Sequence, residues 1–218
     1  IVLHAPERGQ RGHVHYVELD QFIGQNYLVT VHGPINPAVD PGVALRAHGV
    51  EPTVTFHHFT TPRWVAERGG WEDPATADRF AVFCERLSGE LGDAIARACT
   101  INEPNIVATM GWRLGFFPPG KTDADLRLRV NDVFVDAHRK AVDAIRAGAP
   151  GVPVGLTLSM TEYVAVDGGE ERAARMYDEM ENVFLDATEG DDFLGVQTYS
   201  RMRIGPHGIL GPEDGVPV

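Results

Sequence analysis

One glutamate in the sequence stands in a setting suited to acid–base chemistry. The apolar or β-branched residues 98–101 lead into Asn102, Glu103 and Pro104. Because proline has no N–H to donate to a sheet, it ends a strand. The pattern predicts a carboxylate at the carboxyl end of a buried strand, where enzymes built on parallel α/β sheets place catalytic groups.

A second predicted strand, residues 52–58, ends in two adjacent histidines, His57 and His58. Neighbouring residues of a strand point to opposite faces of the sheet. Only one of these imidazoles can therefore share a pocket with Glu103, and the other packs or caps. The same geometry argues against a metal ion held by this pair.

The elements that must position these residues alternate between strand and helix from residue 43 onward. Four strands are predicted, at 52–58, 97–102, 152–158 and 193–199. Apolar residues spaced by three and four predict helices between them, at 74–91 with Asp73 as the cap, from Thr122 or Asp123 to 148, and at 170–187. Such an order indicates parallel strands with right-handed crossovers. Four such units make half a barrel or an open sheet.

Acidic runs on the last of these helices are predicted to form its solvent-facing side. The runs are Glu170–Glu171 and Asp178–Glu181. Charged residues on one side of a helix usually face water. We therefore assign them no chemistry.

Residues 1–42 do not follow the alternation. Segments 13–20 and 27–31 are short alternating strands, which predicts an antiparallel pair, and a proline-rich connector follows. The change in composition predicts a boundary between an N-terminal β-rich extension, 1–42, and an α/β region, 43–218.

Three histidines of the N-terminal extension raise the question of a metal site. His13 and His15 share one face of a strand, and His32 could join them across a hairpin. Three histidines are a ligand set of catalytic zinc. Partly exposed strand histidines are the commoner case, so we predict no metal and no cofactor.

Composition excludes several classes of protein. The net charge of −12 argues against binding to nucleic acid, which needs a basic face. No stretch approaches the about 20 apolar residues of a membrane span, and the first residues do not resemble a signal peptide. Cys84 and Cys99 lie in apolar segments and are predicted to be buried thiols. We expect a cytoplasmic protein.

Four segments together resemble one known family. They are TINEP at 100–104, VTFHHFTTPR at 54–63, GWRLGFFPPG at 111–120 and DFLGVQTYSR at 192–201. In order and spacing they resemble glycoside hydrolase family 1, the β-glucosidase family. The resemblance covers roughly residues 43–218.

This resemblance implies a fold, a reaction and a set of site residues. The fold would be a partial (β/α)₈ TIM barrel that contains its third to sixth strands. The reaction would be retaining hydrolysis of a β-glucoside or β-galactoside, a small carbohydrate. Glu103 would be the acid/base, and His58, Asn102 and Tyr199 would contact the substrate.

The chain also departs from the family's pattern. Family members carry a nucleophilic glutamate in a Glu-Asn-Gly type of motif, and this sequence contains no such tripeptide. Gln197 and Thr198 replace an asparagine and a tyrosine of the commoner pattern. Glu162 could stand in as a base, although acids of this kind are usually solvated. We expect that hydrolysis by this chain alone is impaired.

Two alternative functions remain open at this point. The first is a non-catalytic carbohydrate-binding or interaction fragment. The second is a fragment related to magnesium transport, because residues 11–42 are similar to part of the cytoplasmic domain of CorA-like transporters. In either case a half barrel leaves sheet edges and apolar surface exposed, so association between copies is expected.

Three tryptophans could stack on sugar rings. Trp64 and Trp71 flank the loop after the strand at 52–58, and Trp112 lies in the loop after Glu103. Large aromatic side chains are more often buried in the core. Both interpretations are kept for each of them.

Overall fold

The computed structural model describes residues 2–8, 14–23, 28–32, 49 and 51–211. The first three ranges form a sheet of strands β1 (Val2–Arg8), β2 (Val14–Ile23) and β3 (Leu28–His32). Both pairings in this sheet are antiparallel, in the order β1-β2-β3. The antiparallel pair predicted for this region is therefore confirmed. The side chains of His13, His15 and His32, considered above as metal ligands, lie outside the described part of the chain.

The second sheet has five strands in the order β4-β5-β6-β7-β8. The four parallel strands are β4 (Thr53–His57), β5 (Arg97–Asn102), β6 (Val154–Ala165) and β7 (Phe193–Gly205). The short strand β8 (Gly208–Leu210) pairs antiparallel with β7. The predicted parallel order is confirmed, but β6 and β7 run further than expected.

Helices connect the parallel strands. They are α1 (Arg63–Ala66), α2 (Ala75–Leu91), α3 (Pro104–Ala108), α4 (Ala124–Gly148), α5 (Glu170–Tyr177) and α6 (Val183–Leu185). A π turn, Thr109–Arg113, extends α3, and a second, Asp178–Asn182, joins α5 to α6. Asp123 begins α4 as predicted, because its Oδ1 accepts the N–H of Leu126 at 2.9 Å. Among the described helices, none is both long and apolar enough to cross a membrane.

The core lies between the sheet and the helices α2 and α4. Leu156 and Leu158 of β6 are fully buried on this side. Their register partners on β7 are Leu194 and Val196, which are 36% and 52% exposed. Within the described residues, the helix-facing side of β7 is therefore largely uncovered. Both cysteines are buried and free, as predicted.

The prediction of a solvent-facing acidic run was wrong for Glu181. Glu170 and Glu171 are exposed, but Glu181 is 1% exposed. The π turn winds more loosely than an α-helix and changes the direction in which its residues point. Glu181 consequently faces the sheet.

Beyond Thr157, the edge of β6 on the side of β5 pairs with no strand among the described residues, and the Glu181 side chain binds there. The register between β5 and β6 ends at Asn102 and Thr157, and β6 continues beyond it. There Glu181 Oε1 accepts the N–H of Thr161 at 2.9 Å, and Asn105 Nδ2 donates to the carbonyl of Ser159 at 2.7 Å. Burial raises the pKa of Glu181. The side chains thus replace a missing neighbouring strand.

His57 is buried in an aromatic environment without a hydrogen-bond partner. Its ring lies edge-on to Trp71, with centroids 5.0 Å apart, and also contacts Phe80 and Phe134. Neither ring nitrogen has a partner among the described residues. Burial, with a smaller contribution from His58, lowers the pKa of His57 to about 4. The imidazole is therefore neutral in the folded chain at ordinary pH.

Replacing His57 with phenylalanine should stabilise the fold, and more so in acid. The unfolded chain takes up a proton near pH 6.5 that folded His57 does not accept until about pH 4, so the native histidine costs stability as the pH falls. At 1.36 kcal/mol for each pKa unit, the advantage of His57→Phe should grow by about 3 kcal/mol between pH 7.5 and 4. Urea unfolding at both values measures it. An advantage independent of pH would contradict the assignment.

Candidate active site

Two neighbouring strand ends share an uncommon backbone conformation. The register pairs His57 of β4 with Ile101 of β5, so residues two positions further on lie at the same level. These residues are Phe59, with φ of 65°, and Glu103, with φ of 47°. They are the two non-glycine residues with positive φ in the described chain, and such residues cluster at functional sites.

Glu103 joins the end of β5 to the start of α3. Its N–H donates to the carbonyl of Thr157 at 2.8 Å, and its own carbonyl accepts the N–H groups of Ile106 and Val107 at 3.0 Å each. Pro104 occupies the first position of the helix, where a missing N–H costs nothing. The residue is 6% exposed, and its Oε1 has no hydrogen-bond partner among the described residues.

A bulge in β7 places Tyr199 next to Glu103. Met160 pairs with Thr198 and Thr161 pairs with Ser200, so β7 has one extra residue, Tyr199, between these two pairs. Bulges of this kind redirect a side chain. The side chain of Tyr199 hydrogen-bonds Glu103.

The environment of Glu103 favours its protonated form. Burial raises the pKa of the carboxyl group because the charged form loses solvation. The hydrogen bond from Tyr199 acts in the opposite direction but is the smaller effect. A carboxyl group held in this way can donate a proton at a pH where an ordinary glutamate is ionised.

A second bulge turns the side chain of Asn102 to the face of the sheet that carries the side chain of Thr157. Between Cys99 and Asn102, β5 advances three residues while β6 advances two, from Gly155 to Thr157. Asn102 therefore shares a face with Cys99, and both contact the side chain of Thr157. Asn102 Oδ1 accepts two hydrogen bonds, from Thr157 Oγ1 at 2.9 Å and from Gln197 Nε2 at 3.0 Å.

The structure thus brings together three of the four residues predicted for the site. Glu103 is adjacent to Asn102 and is bonded to Tyr199. The fourth, His58, is exposed, and burial of part of its ring lowers its pKa. Its ring contacts that of Phe59, with centroids 4.9 Å apart. The substrate-binding role of His58 stays a prediction.

Two of the three tryptophans are buried, which is the commoner of the two interpretations kept above. Trp71 and Trp112 are each 3% exposed, and their indole N–H groups donate to Thr61 at 3.1 Å and to Glu72 at 2.9 Å. They stabilise loops because a large ring gains more from burial than from a place at the rim. Trp64 is 50% exposed and stays a candidate for contact with a ligand.

Glu162, considered above as a stand-in base, forms a surface ion pair. Its Oε2 accepts a hydrogen bond from Arg201 Nε at 2.7 Å, and both side chains are more than half exposed, which is the commoner case expected for it. In the part of the chain that the structure describes, no group of three His, Cys, Asp or Glu side chains is arranged to hold a metal ion.

Sequence analysis missed Thr157 as a residue of the site. It contacts both Asn102 and Glu103. A signal was available: Thr157 and Ser159 are polar residues on alternate positions of an otherwise apolar strand. Such alternation indicates that one face of the strand lines a polar space.

Replacing Glu103 with glutamine should stabilise the folded chain at high pH. Because the pKa of Glu103 is raised, its contribution to stability falls as the pH rises above the ordinary glutamate value. Glu103→Gln should therefore gain in free energy of unfolding, relative to the native chain, between pH 4 and pH 8. Urea titrations at the two values measure the difference. The matched control, Glu162→Gln on the exposed surface, should show little change, and equal behaviour of the two variants would contradict the prediction.

Sheet and site together define a class of protein: an α/β chain with the architecture of a partial barrel and a buried acid at the carboxyl ends of its strands. The model of glycosyl hydrolase family 1 matches residues 43–202. The chain belongs to this family. The comparisons give no support to the similarity of residues 11–42 to magnesium transporters.

Curated relatives and solved structures agree with this family. Beta-glucosidase A of Acetivibrio thermocellus is 30% identical over 128 residues, which are 58% of this chain and 29% of that protein. Thermostable beta-glucosidase B of Thermobispora bispora is 32% identical over 163 residues, 71% of this chain and 33% of that protein. The crystal structure of beta-glycosidase BGL167 superposes with a TM-score of 0.67 at 37% identity, covering 81% of this chain and 48% of the other. The chain thus spans about a third of these relatives and about half of that structure.

Proposed function

We propose that residues 51–211 carry the acid/base half of a retaining β-glycosidase site that takes a β-glucoside or β-galactoside. The observation that carries the proposal is Glu103, a buried carboxyl group with a raised pKa and an unpartnered oxygen. Gln197 Oε1 is a second buried acceptor without a described partner. Buried acceptors cost free energy until a donor reaches them, and a sugar offers several hydroxyl donors.

In the proposed reaction Glu103 acts twice. It first gives its proton to the glycosidic oxygen while the bond from that oxygen to the anomeric carbon breaks and a nucleophile bonds to the carbon. It then takes a proton from the water that displaces this nucleophile from the same carbon. Asn102 would bind the hydroxyl at C2, an interaction that strengthens in the transition state, and His58 would bind a further hydroxyl. Tyr199 would keep Glu103 in place.

The retaining mechanism also needs a nucleophilic carboxylate about 5–5.5 Å from the acid. The family's Glu-Asn-Gly tripeptide does not occur in this sequence. We propose that the chain alone hydrolyses aryl β-glucosides poorly or not at all for this reason. This favours a second candidate function, a carbohydrate-binding fragment without turnover. The cytoplasmic location, the boundary at residue 42 and the association of copies stay predictions.

Calorimetry with glucono-1,5-lactone tests the binding part of the proposal. The native chain should bind the lactone, and Asn102→Ala should weaken binding about tenfold because a hydrogen bond inside the pocket is lost. The control Glu162→Gln changes a carboxyl group outside the proposed site and should bind as the native chain does. A native chain that binds neither lactone nor glucose would reject the site.

Added azide tests the catalytic part, because it can take the place of a missing nucleophile. With phenyl β-glucoside, azide forms a carbon–nitrogen bond at the anomeric carbon as the bond to the phenyl oxygen breaks, and Glu103 gives that oxygen its proton. Phenol is a poor leaving group without this proton, so its release should be negligible in buffer and should rise at high azide concentration. Glu103→Gln should lower the azide-dependent rate about 10²-fold or more, which is the usual effect of a general acid.

The products distinguish the two candidate functions. An α-glucosyl azide formed only with the native chain supports the acid/base role. Binding of the lactone without any azide-dependent release supports the carbohydrate-binding fragment. A native rate near that of ordinary glycosidases without azide would contradict the proposed lack of a nucleophile.

A further inference from the structure

Thr157 connects the two adjacent residues of the proposed site. Its carbonyl accepts the N–H of Glu103 at 2.8 Å, and its hydroxyl donates to Asn102 Oδ1 at 2.9 Å. A Cβ at Gly195, on the neighbouring strand, would lie 2.4 Å from Thr157 Cγ2. Only glycine at position 195 therefore leaves the threonine side chain this place.

The donors around Asn102 determine which way its amide points. An asparagine amide has nearly the same shape in two orientations, so the hydrogen-bond network selects one. Gln197 Nε2 donates to Oδ1 at 3.0 Å. The Thr157 hydroxyl donates to the same atom at 2.9 Å. The thiol of Cys99 lies 3.6 Å from the Thr157 hydroxyl and 3.6 Å from the carbonyl of Ile101, so it can donate to either oxygen.

We propose that Thr157 and Gln197 are positioning residues that hold the Asn102 amide with Nδ2 directed to the ligand, so that the pocket selects sugars with a hydrogen-bond acceptor at C2. The inference rests on the proposed function, because it takes the sugar-binding role of Asn102 as its starting point. It adds that the site prefers a sugar with a hydrogen-bond acceptor at C2, and that Thr157 and Gln197 impose this preference. Neither residue touches the reacting atoms in this assignment.

Three neutral sugars that differ only at C2 provide the test. Glucose has a hydroxyl there, 2-deoxy-2-fluoroglucose has an acceptor that cannot donate, and 2-deoxyglucose has neither. Calorimetry with the full chain should give tighter binding of the fluoro sugar than of the deoxy sugar, by about threefold, which is the effect of one weak hydrogen bond.

The double variant Gln197→Glu with Thr157→Val should reverse this order. Glutamate accepts hydrogen bonds at the position where glutamine donated, and valine removes the competing hydroxyl at equal volume. The amide of Asn102 then turns its Nδ2 toward residue 197 and presents Oδ1 to the sugar. Fluorine facing an oxygen is repelled, so the deoxy sugar should bind more tightly than the fluoro sugar. The uncharged variant Gln197→Met, described next, separates this turn of the amide from direct repulsion between the new charge and the C–F bond.

Two single variants control for simple loss of structure. Thr157→Ser keeps the hydroxyl and should keep the native ratio between fluoro and deoxy sugar. Gln197→Met removes the amide without adding charge, and the ratio should fall toward one. This single variant carries the test if the double variant does not fold, as judged by circular dichroism.

The outcomes separate this inference from the function beneath it. Reversal in the double variant, or a ratio near one in Gln197→Met, supports the positioning role. If both variants keep the native ratio between fluoro and deoxy sugar, or bind all three sugars equally more weakly, the positioning role is overturned. Binding of glucose by the native chain would then still support the proposed site. A native chain that binds no sugar overturns the proposed function and this inference together.

Discussion

The candidate site depends on one close approach, where Thr157 of β6 lies between β5 and β7. Its backbone fixes the position of Glu103, and its side chain fixes Asn102. Gly195 on β7 leaves space for the threonine methyl group. Three strands therefore converge on one residue, which links the backbone of Glu103 to the side chain of Asn102. Hydrogen bonds held in a buried setting give this arrangement its rigidity.

Irregularities in the strands do as much for the site as the regular sheet. One extra residue in β5 turns Asn102 to the face of the sheet that carries Thr157. One extra residue in β7 places Tyr199 beside Glu103. Glu103 itself adopts a conformation that few residues other than glycine accept. The regular parts of β5 and β6 keep the core together, while these local departures set the direction of the polar groups.

The sequence predicts the order of elements and the place of Glu103 at the end of a buried strand well, because both follow from local rules. Spacing of apolar residues identifies α4, and Pro104 marks the end of β5. The burial of Glu181 was beyond such rules, since it arises from a π turn that no residue type announces. The same holds for the two bulges, which depend on pairing between strands far apart in the chain. Trp71 shows the remaining difficulty: an aromatic residue beside a loop fits a core and a binding rim equally well until its neighbours are known.

The extra residue in β7 has a consequence for how this chain tolerates variation. Thr198 and Ser200 keep their partners on β6 on either side of Tyr199, so the ladder of the sheet does not need the tyrosine. Shortening the strand by this one codon would leave a continuous ladder and an intact core. A library sorted by melting temperature would retain such deletants, although they have lost the phenol beside Glu103. At this position the stability of the fold and the binding of a ligand are separate properties. Only a screen that measures ligand binding can distinguish the deletion variant from the native chain.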